Sequence, residues 1–331
     1  MKQAPLYSEI AQGPDNGAAW WMTTADGVRI RVGLWNRGAP KGTVFLFPGR
    51  TEYIEKYGIA AAHLASCGYA TLVIDWRGQG LADRLQDDVM SGHVHRFTDY
   101  QIDVAAMVEA AHRLDLPQPW HLLAHSMGAC IGLRAVMQGM EVQSCAFSGP
   151  MWGIAMADAL RPVAWSLSWS SRQVGLSHFY APGTARQNYV LTEPFETNKL
   201  TNDREMYQYM VNQATAHPEL GIGGPSLRWL HEALHETRGL ARRPSPDMPC
   251  LTLLGTDEQI VDVARVHDRM AHWPGGHLEL VAGGRHETLM DSSEMRGRLF
   301  TMLCRFYSGS GDSDASGPAR QANAARQARK S

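Results

Sequence analysis

The chain has 331 residues, 44% of them hydrophobic and 19% charged, with a formal net charge of −2. That length supports one large domain or two small ones around a substantial core, and the composition is that of an ordinary globular protein. The near-neutral balance gives no electrostatic footing for nucleic acid, the first residues lack the apolar run of a secretory signal, and no apolar stretch is long enough to span a bilayer.

In chain order, residues 1–17 read as a loosely held N-terminal arm. The β-rich runs Trp20–Thr24 and Val28–Trp35 flank Asp26-Gly27, a hairpin signal. T-V-F-L-F (Thr43–Phe47) and A-T-L-V-I-D (Ala70–Asp75) are continuous apolar runs of the kind found in strands buried on both faces. Between them a helix is expected over Gly58–Cys67, closed by Gly68. Thr98-Asp99 offers the cap of a helix to about Leu114, with Val104, Met107, Val108, Ala111 and Leu114 at core-facing spacing. W-H-L-L-A-H-S-M-G-A-C-I-G (Trp120–Gly132) reads as strand, abrupt turn, helix, and Ser144–Ser148 as a further apolar strand.

From Met151 to about Arg243 the strand–helix alternation stops, and a segment rich in Trp, Met, Tyr and His reads as several amphipathic helices. After Arg242-Arg243-Pro244-Ser245-Pro246 the alternation resumes. Cys250–Leu254 is a strand, Val263–Ala271 a helix, His277–Val281 a strand, and a last helix runs from about Ser293 to Phe306. Residues 308–331 carry no core-forming side chains and are expected to be a disordered tail. Its cations Arg320, Arg326, Arg329 and Lys330 have few apolar partners and would be weak for membrane anchoring, so a solvated tail is the expectation. Five cysteines (Cys67, Cys130, Cys145, Cys250 and Cys304) are scattered and lack metal-ligand spacing, so reduced core thiols are expected.

Such alternation specifies the α/β class, a mostly parallel sheet with helices on both faces. Residues 18–150 and 244–307 are its two parts. The insert at 151–243 would sit above the carboxyl ends of the strands, where open α/β sheets bind ligands, and is expected to be a helical cap. An unrelated helical domain is the other reading.

Ser126 stands at the apex of the abrupt turn. A turn this tight needs nearly side-chain-free residues two before and two after the serine, and these are Ala124 and Gly128. The hydroxyl is thereby lifted to the start of the next helix, where the amide of Met127 can meet an oxyanion. A serine nucleophile needs a base, and the base an acid to orient it. His286 lies just past the last strand on a glycine-flexible loop, V-A-G-G-R-H-E-T-L. The acid comes from G-T-D-E-Q-I-V-D, where acid-x-apolar-Val spacing favours Glu258 and leaves Asp257 as the alternative; Asp262 is more simply a helix cap. The second oxyanion donor is expected to be the amide of Arg50, after Pro48-Gly49. The Arg50 side chain suits a lipid phosphate, or a structural pair with Glu52 or Glu55.

Five motifs occur in order: F-P-G-R-T-E-Y-I-E-K-Y (Phe47–Tyr57), I-D-W-R-G-Q-G (Ile74–Gly80), S-G-H-V-H-R-F-T-D-Y (Ser91–Tyr100), L-A-H-S-M-G (Leu123–Gly128) and G-G-R-H-E (Gly283–Glu287). With them the chain, from about residue 20 to 307, resembles the bacterial lysophospholipase branch of the monoacylglycerol lipase-like α/β-hydrolases. The resemblance implies an α/β-hydrolase fold with a helical cap, and a serine hydrolase of single-chain acyl esters such as lysophospholipids or monoacylglycerols. Ala124 and Ala129 stand where the family often has glycine, and Ala82 where serine often follows the R-G-x-G loop. The cap segment matches the family least, and the cap chooses the substrate.

The expected reaction passes through an acyl-enzyme on Ser126 and requires neither cofactor nor metal. The expected partner is a small-molecule or lipid ester rather than nucleic acid. The expected location is the cytoplasm, with peripheral contact at the inner membrane, and the oligomeric state is not specified. A same-fold aminopeptidase, acyltransferase or C–C hydrolase would use the same serine. A non-catalytic ligand-binding scaffold is the alternative of another class.

Overall fold

A computed structural model describes residues 1–157 and 159–309. Apart from its first two residues, the expected tail over 308–331, with its four cations, lies outside the described residues. The strands are β1 (Lys2–Ala4), β2 (Ala18–Thr23), β3 (Arg29–Trp35), β4 (Thr43–Phe47), β5 (Ala70–Asp75), β6 (Trp120–His125), β7 (Ser144–Ser148), β8 (Cys250–Gly255) and β9 (Gly276–Val281). The helices are α1 (Ser8–Ala11), α2 (Gly58–Ser66), α3 (Tyr100–Arg113), α4 (Met127–Met137), α5 (Leu160–Gln173), α6 (Tyr189–Thr192), α7 (Arg204–Ala216), α8 (Leu227–Ala241), α9 (Val263–Ala271) and α10 (Ser293–Tyr307).

The strands form one sheet in the order β1-β2-β3-β5-β4-β6-β7-β8-β9. From β5 to β9 the pairing is parallel, while β1, β2 and β3 add an antiparallel edge. The central strand shows why its sequence is apolar throughout. Phe45 and Phe47 join a core with Leu122, Ala124, Met107 and Leu133, whereas Val44 and Leu46 point the other way, into a core with Leu64, Leu299 and Leu303. Successive side chains of a strand alternate between faces, so a sheet covered on both sides needs apolar residues at every position. Each such fully buried side chain contributes roughly 1.5–3 kcal/mol.

Two expectations are corrected. Residues 1–17 are not loosely held: β1 pairs with β2, Ala11 is buried, and the hydroxyl of Tyr209 in α7 donates to Ala11 O at 2.7 Å. Arg31 completes the attachment, donating to Pro5 O at 2.9 Å while both its carboxylate partners, Glu55 and Asp75, are fully buried with it. Nor are all five cysteines reduced. Cys67, at the end of α2, is disulfide-bonded to Cys304 in α10, with Cα atoms 6.2 Å apart, while Cys130, Cys145 and Cys250 are free and buried. A pairing across 237 residues leaves no spacing signature in the sequence.

Between β7 and β8 the described residues hold α5, α6, α7 and α8 and no strand. Helix α8 is capped by Ser226, whose side chain accepts from Trp229 N, and α7 by Asp203, which accepts from Met206 N. Helix α7 packs back against α1, and α5 against α8.

Candidate active site

Strand β6 ends at His125, and Ser126 follows at φ 50°, ψ −116°, a conformation that strains a non-glycine residue. The tightness shows at Gly128, where an added Cβ would lie 2.2 Å from Phe47 O and 2.4 Å from Pro48 O. Helix α4 then starts immediately, so Ser126 sits at its N-terminus.

His286 lies in the loop after β9. Its Nε2 is 2.9 Å from Ser126 Oγ and its Nδ1 is 2.7 Å from Glu258 Oε2. The loop is held from several directions: His286 N reaches Lys199 O, Glu287 N donates to Leu200 O at 2.8 Å, and Thr288 Oγ1 meets Ser148 Oγ at 2.9 Å. Gly149, at φ +49°, makes room for the imidazole, since a Cβ there would lie 3.1 Å from His286 Nδ1.

The structure separates the two candidate acids. The Glu258 side chain is fully buried and also accepts the amides of Ile260 at 2.6 Å and Val261 at 3.2 Å. Burial acts to raise its carboxyl, but the hydrogen bond and charge of His286 and those two amides outweigh it, leaving the group below the usual range. Asp257 is exposed and meets Thr256 Oγ1 at 3.2 Å. Asp262 caps α9, accepting from Arg265 N.

Loop Pro48–Glu52 is braced around the Arg50 amide. Trp76 Nε1 donates to Pro48 O at 2.9 Å, Gly49 N donates to the Glu52 carboxylate, and Gln79 bridges Gly49 O and Thr51 N. The amides of Arg50 and Met127 have no acceptor among the described residues, which is what an oxyanion site requires. The Arg50 side chain pairs with neither expected acid: Glu52 meets Lys56, and Glu55 meets Arg31. Instead Arg50 Nη1 donates to Gly223 O at 2.8 Å and the guanidinium lies 5.7 Å from the Trp229 ring centroid.

A buried charged cluster beneath these residues was not read from the sequence. Lys56 Nζ bridges the carboxylates of Glu52 and Glu287, and Tyr57 Oη donates to Glu52. His125 Nδ1 is 2.9 Å from Ser148 O, a pure acceptor, so this nitrogen carries the hydrogen. Its Nε2 faces Glu287 Oε2 at 3.4 Å and Glu52 Oε1 at 3.7 Å. Burial disfavours an imidazolium there, but the two carboxylates prevail and raise the His125 pKa. Glu52, His125 and Glu287 bring one ligand atom each within 4.8 Å of one another, a spacing a cation could use. The ammonium of Lys56 already lies between the two carboxylates. The only sequence signal was the cluster of charges beside strand ends in Y-I-E-K-Y and R-H-E.

A cavity of about 340 Å³ opens on Ser126 and His286. Its walls include Met151, Ile154, Leu200, Met210, Trp229 and Ile260. Residues from the 151–243 insert thus form much of an apolar chamber over the serine, with Arg50 and Lys199 as cationic members of its lining.

The family described as serine aminopeptidase, S33 (Hydrolase_4) matches residues 38–293. Lysophospholipase L2 of Escherichia coli (strain K12) is 30% identical over 299 residues, covering 86% of each chain. A probable lysophospholipase L2 of Haemophilus influenzae is 27% identical over 270 residues, covering 81% of this chain and 84% of that one. Among solved structures, a soluble variant of the Saccharomyces cerevisiae monoglyceride lipase with a substrate analog superposes at a TM-score of 0.66 with 19% identity, covering 86% of this chain and 93% of that chain. The Paleococcus ferrophilus monoacylglycerol lipase does so at 0.63 with 14% identity, covering 83% and 97%. These two likenesses concern the fold.

Proposed function

We infer that this chain, which belongs to the Hydrolase_4 (serine aminopeptidase, S33) family of α/β-hydrolases, hydrolyses carboxylic esters of single-chain lipids, lysophospholipids or monoacylglycerols. The observation that carries the reading is the His286 ring, bonded through one nitrogen to Ser126 and through the other to Glu258.

In this reading His286 takes the proton of Ser126 as the hydroxyl attacks the ester carbonyl. Glu258 holds the Nδ1–H tautomer and stabilises the imidazolium. The amides of Arg50 and Met127 receive the negative oxygen of the tetrahedral intermediate, which electrostatic preorganisation makes a large part of catalysis. His286 then protonates the leaving alcohol, and water, activated by the same imidazole, releases the fatty acid from the acyl-serine. The apolar chamber takes the acyl chain, since such pockets are mostly apolar with few polar groups. The insert at 151–243 is the cap of this site.

An aminopeptidase would need a free carboxylate for the substrate ammonium. Glu52 and Glu287, both in the cavity wall, are engaged by Lys56, and the cations lining it oppose a positive substrate.

The insert also supports peripheral contact with a lipid surface. Helix α5 is inside out for an aqueous protein: Ser168 and Ser171 are buried, while Leu160, Val163, Leu167 and Trp169 are exposed, followed by exposed Val174, Leu176 and Phe179. Exposed apolar side chains in this number suit an interface rather than water. No helix among the described residues is long and apolar enough to cross a membrane.

The test is turnover of lysophospholipids, monoacylglycerols and short p-nitrophenyl esters, with Ser126→Ala as the blank. Loss of serine should lower kcat on the order of a millionfold, as in other triads. Turnover retained within tenfold, or failure of the folded wild type to react with a fluorophosphonate, overturns the assignment.

A further inference from the structure

The chamber is lined by two cationic side chains that the hydrolytic machinery does not account for, Arg50 and Lys199. Arg50 supplies its backbone amide to the oxyanion site, yet its guanidinium also lines the cavity on which Ser126 opens. Desolvation pushes that guanidinium down to about 10, and it remains a cation at neutral pH. Buried charges are ordinarily paired with an opposite charge. Three buried arginines obey the rule: Arg31 has Glu55 and Asp75, Arg77 has Asp26 and Asp103, and Arg134 has Glu236, whereas buried Arg269 is satisfied by the Leu240 and Arg243 carbonyls and the Ser245 hydroxyl, outside the cavity. Arg50 has no carboxylate partner among the described residues, only the Gly223 carbonyl and the face of Trp229. The two carboxylates that line the same cavity, Glu52 and Glu287, are held by Lys56 and face His125. Lys199, which follows α6, lines the same cavity and has no ion pair among the described residues.

We propose that Arg50, assisted by Lys199, binds the phosphodiester of a lysophospholipid head group and makes the enzyme select phosphorylated over neutral single-chain esters. The proposal rests on the ester-hydrolase reading of Ser126 and deepens it. A planar guanidinium presents several donors in a fork matched to phosphate oxygens, and an anion supplied by the substrate provides the counter-charge that the protein withholds. The amide and side chain of one residue then act on the same molecule, the amide on the reacting carbonyl oxygen and the guanidinium on the head group. A monoacylglycerol offers that guanidinium no charge.

The experiment compares kcat/KM for a lysophospholipid and a monoacylglycerol of the same acyl chain, in the same mixed micelles, for wild type, Arg50→Ala, Arg50→Lys and Lys199→Ala. Arg50→Ala should cut the lysophospholipid-to-monoacylglycerol ratio about 10- to 100-fold, the size of a lost charge-assisted hydrogen bond. Arg50→Lys should restore part of the ratio, and Lys199→Ala should lower it less. Displacement of the Arg50 amide or loosening of the cap would lower both substrates by the same factor, so a ratio unmoved by Arg50→Ala overturns the head-group site while leaving the hydrolase reading intact. Wild type that cleaves neither substrate overturns the hydrolase reading itself. Inorganic phosphate is the second probe: Arg50-dependent inhibition at equal strength against both substrates would assign the site to free phosphate and overturn the head-group proposal.

Discussion

His125 and Glu287 face each other at 3.4 Å, Nε2 to Oε2, directly beneath the reacting groups. One precedes Ser126 in the chain and the other follows His286, so a single buried contact ties together the two loops that carry nucleophile and base. The His125 and His286 rings are 4.8 Å apart between centroids. With His125 protonated, the cluster of Glu52, Glu287, Lys56 and His125 carries two negative and two positive charges.

Glu287→Gln keeps the shape and removes the charge, so it should act by misplacing the loop of His286. We expect kcat to fall about 10- to 100-fold, the cost of a misplacement near 1 Å, with little change in KM. Steady-state kinetics on one soluble ester reads the split. A kcat within twofold of wild type would show that the contact does not position the imidazole.

The same cluster predicts a pH dependence of stability. The His125 pKa is raised above 6.5, so its contribution is complete below that value and is lost as pH rises through the folded pKa. Glu287 is held well below 4.5, burial opposing and the charges of His125 and Lys56 prevailing, so its contribution is present above 4.5 and lost as pH falls. The melting temperature should therefore decline on both sides, and His125→Gln should flatten the alkaline decline specifically. An unchanged alkaline limb in that variant would rule out an imidazolium at 125.

The two neighbouring acids should differ sharply. Glu258→Gln should lower kcat about 10⁴-fold, as losing the acid of a triad does elsewhere, whereas exposed Asp257→Asn should shift stability by no more than about 0.5 kcal/mol and leave turnover near wild type. The reverse ranking would exchange their roles.

The Cys67–Cys304 bond closes a loop of 237 residues between α2 and α10. Reduction, or replacement of both by serine, should destabilise the fold by about 2–4 kcal/mol. A non-reducing peptide map of the isolated protein should contain the crosslinked pair. Two free thiols would instead agree with the reducing cytoplasm expected from the sequence, where such bonds are rare.

Helix α5 predicts binding to lipid vesicles. Wild type should cosediment with anionic phospholipid vesicles and shift the emission of Trp169 to the blue, while Val163→Asp with Leu167→Asp should weaken binding at least tenfold by exposing charge to hydrocarbon. Equal sedimentation of the two proteins would remove the membrane role from this face.

What the sequence alone determined was whatever is set locally. Apolar runs declared the parallel strands almost to the residue, as at β4, β5 and β7, because a doubly covered strand admits nothing else. The turn at Ser126 was equally legible, since its sterics are written in the residues two positions to either side. Tertiary structure decided which of two adjacent carboxylates meets His286, because side chains on a loop diverge by direction and not by spacing. Tertiary structure also paired Cys67 with Cys304, drew Lys56, Glu52, His125 and Glu287 into one cluster, and left Arg50 without an acid among the described residues. Those outcomes depend on contacts between segments tens to hundreds of residues apart, where the energy of a buried charge is set by what the fold places around it.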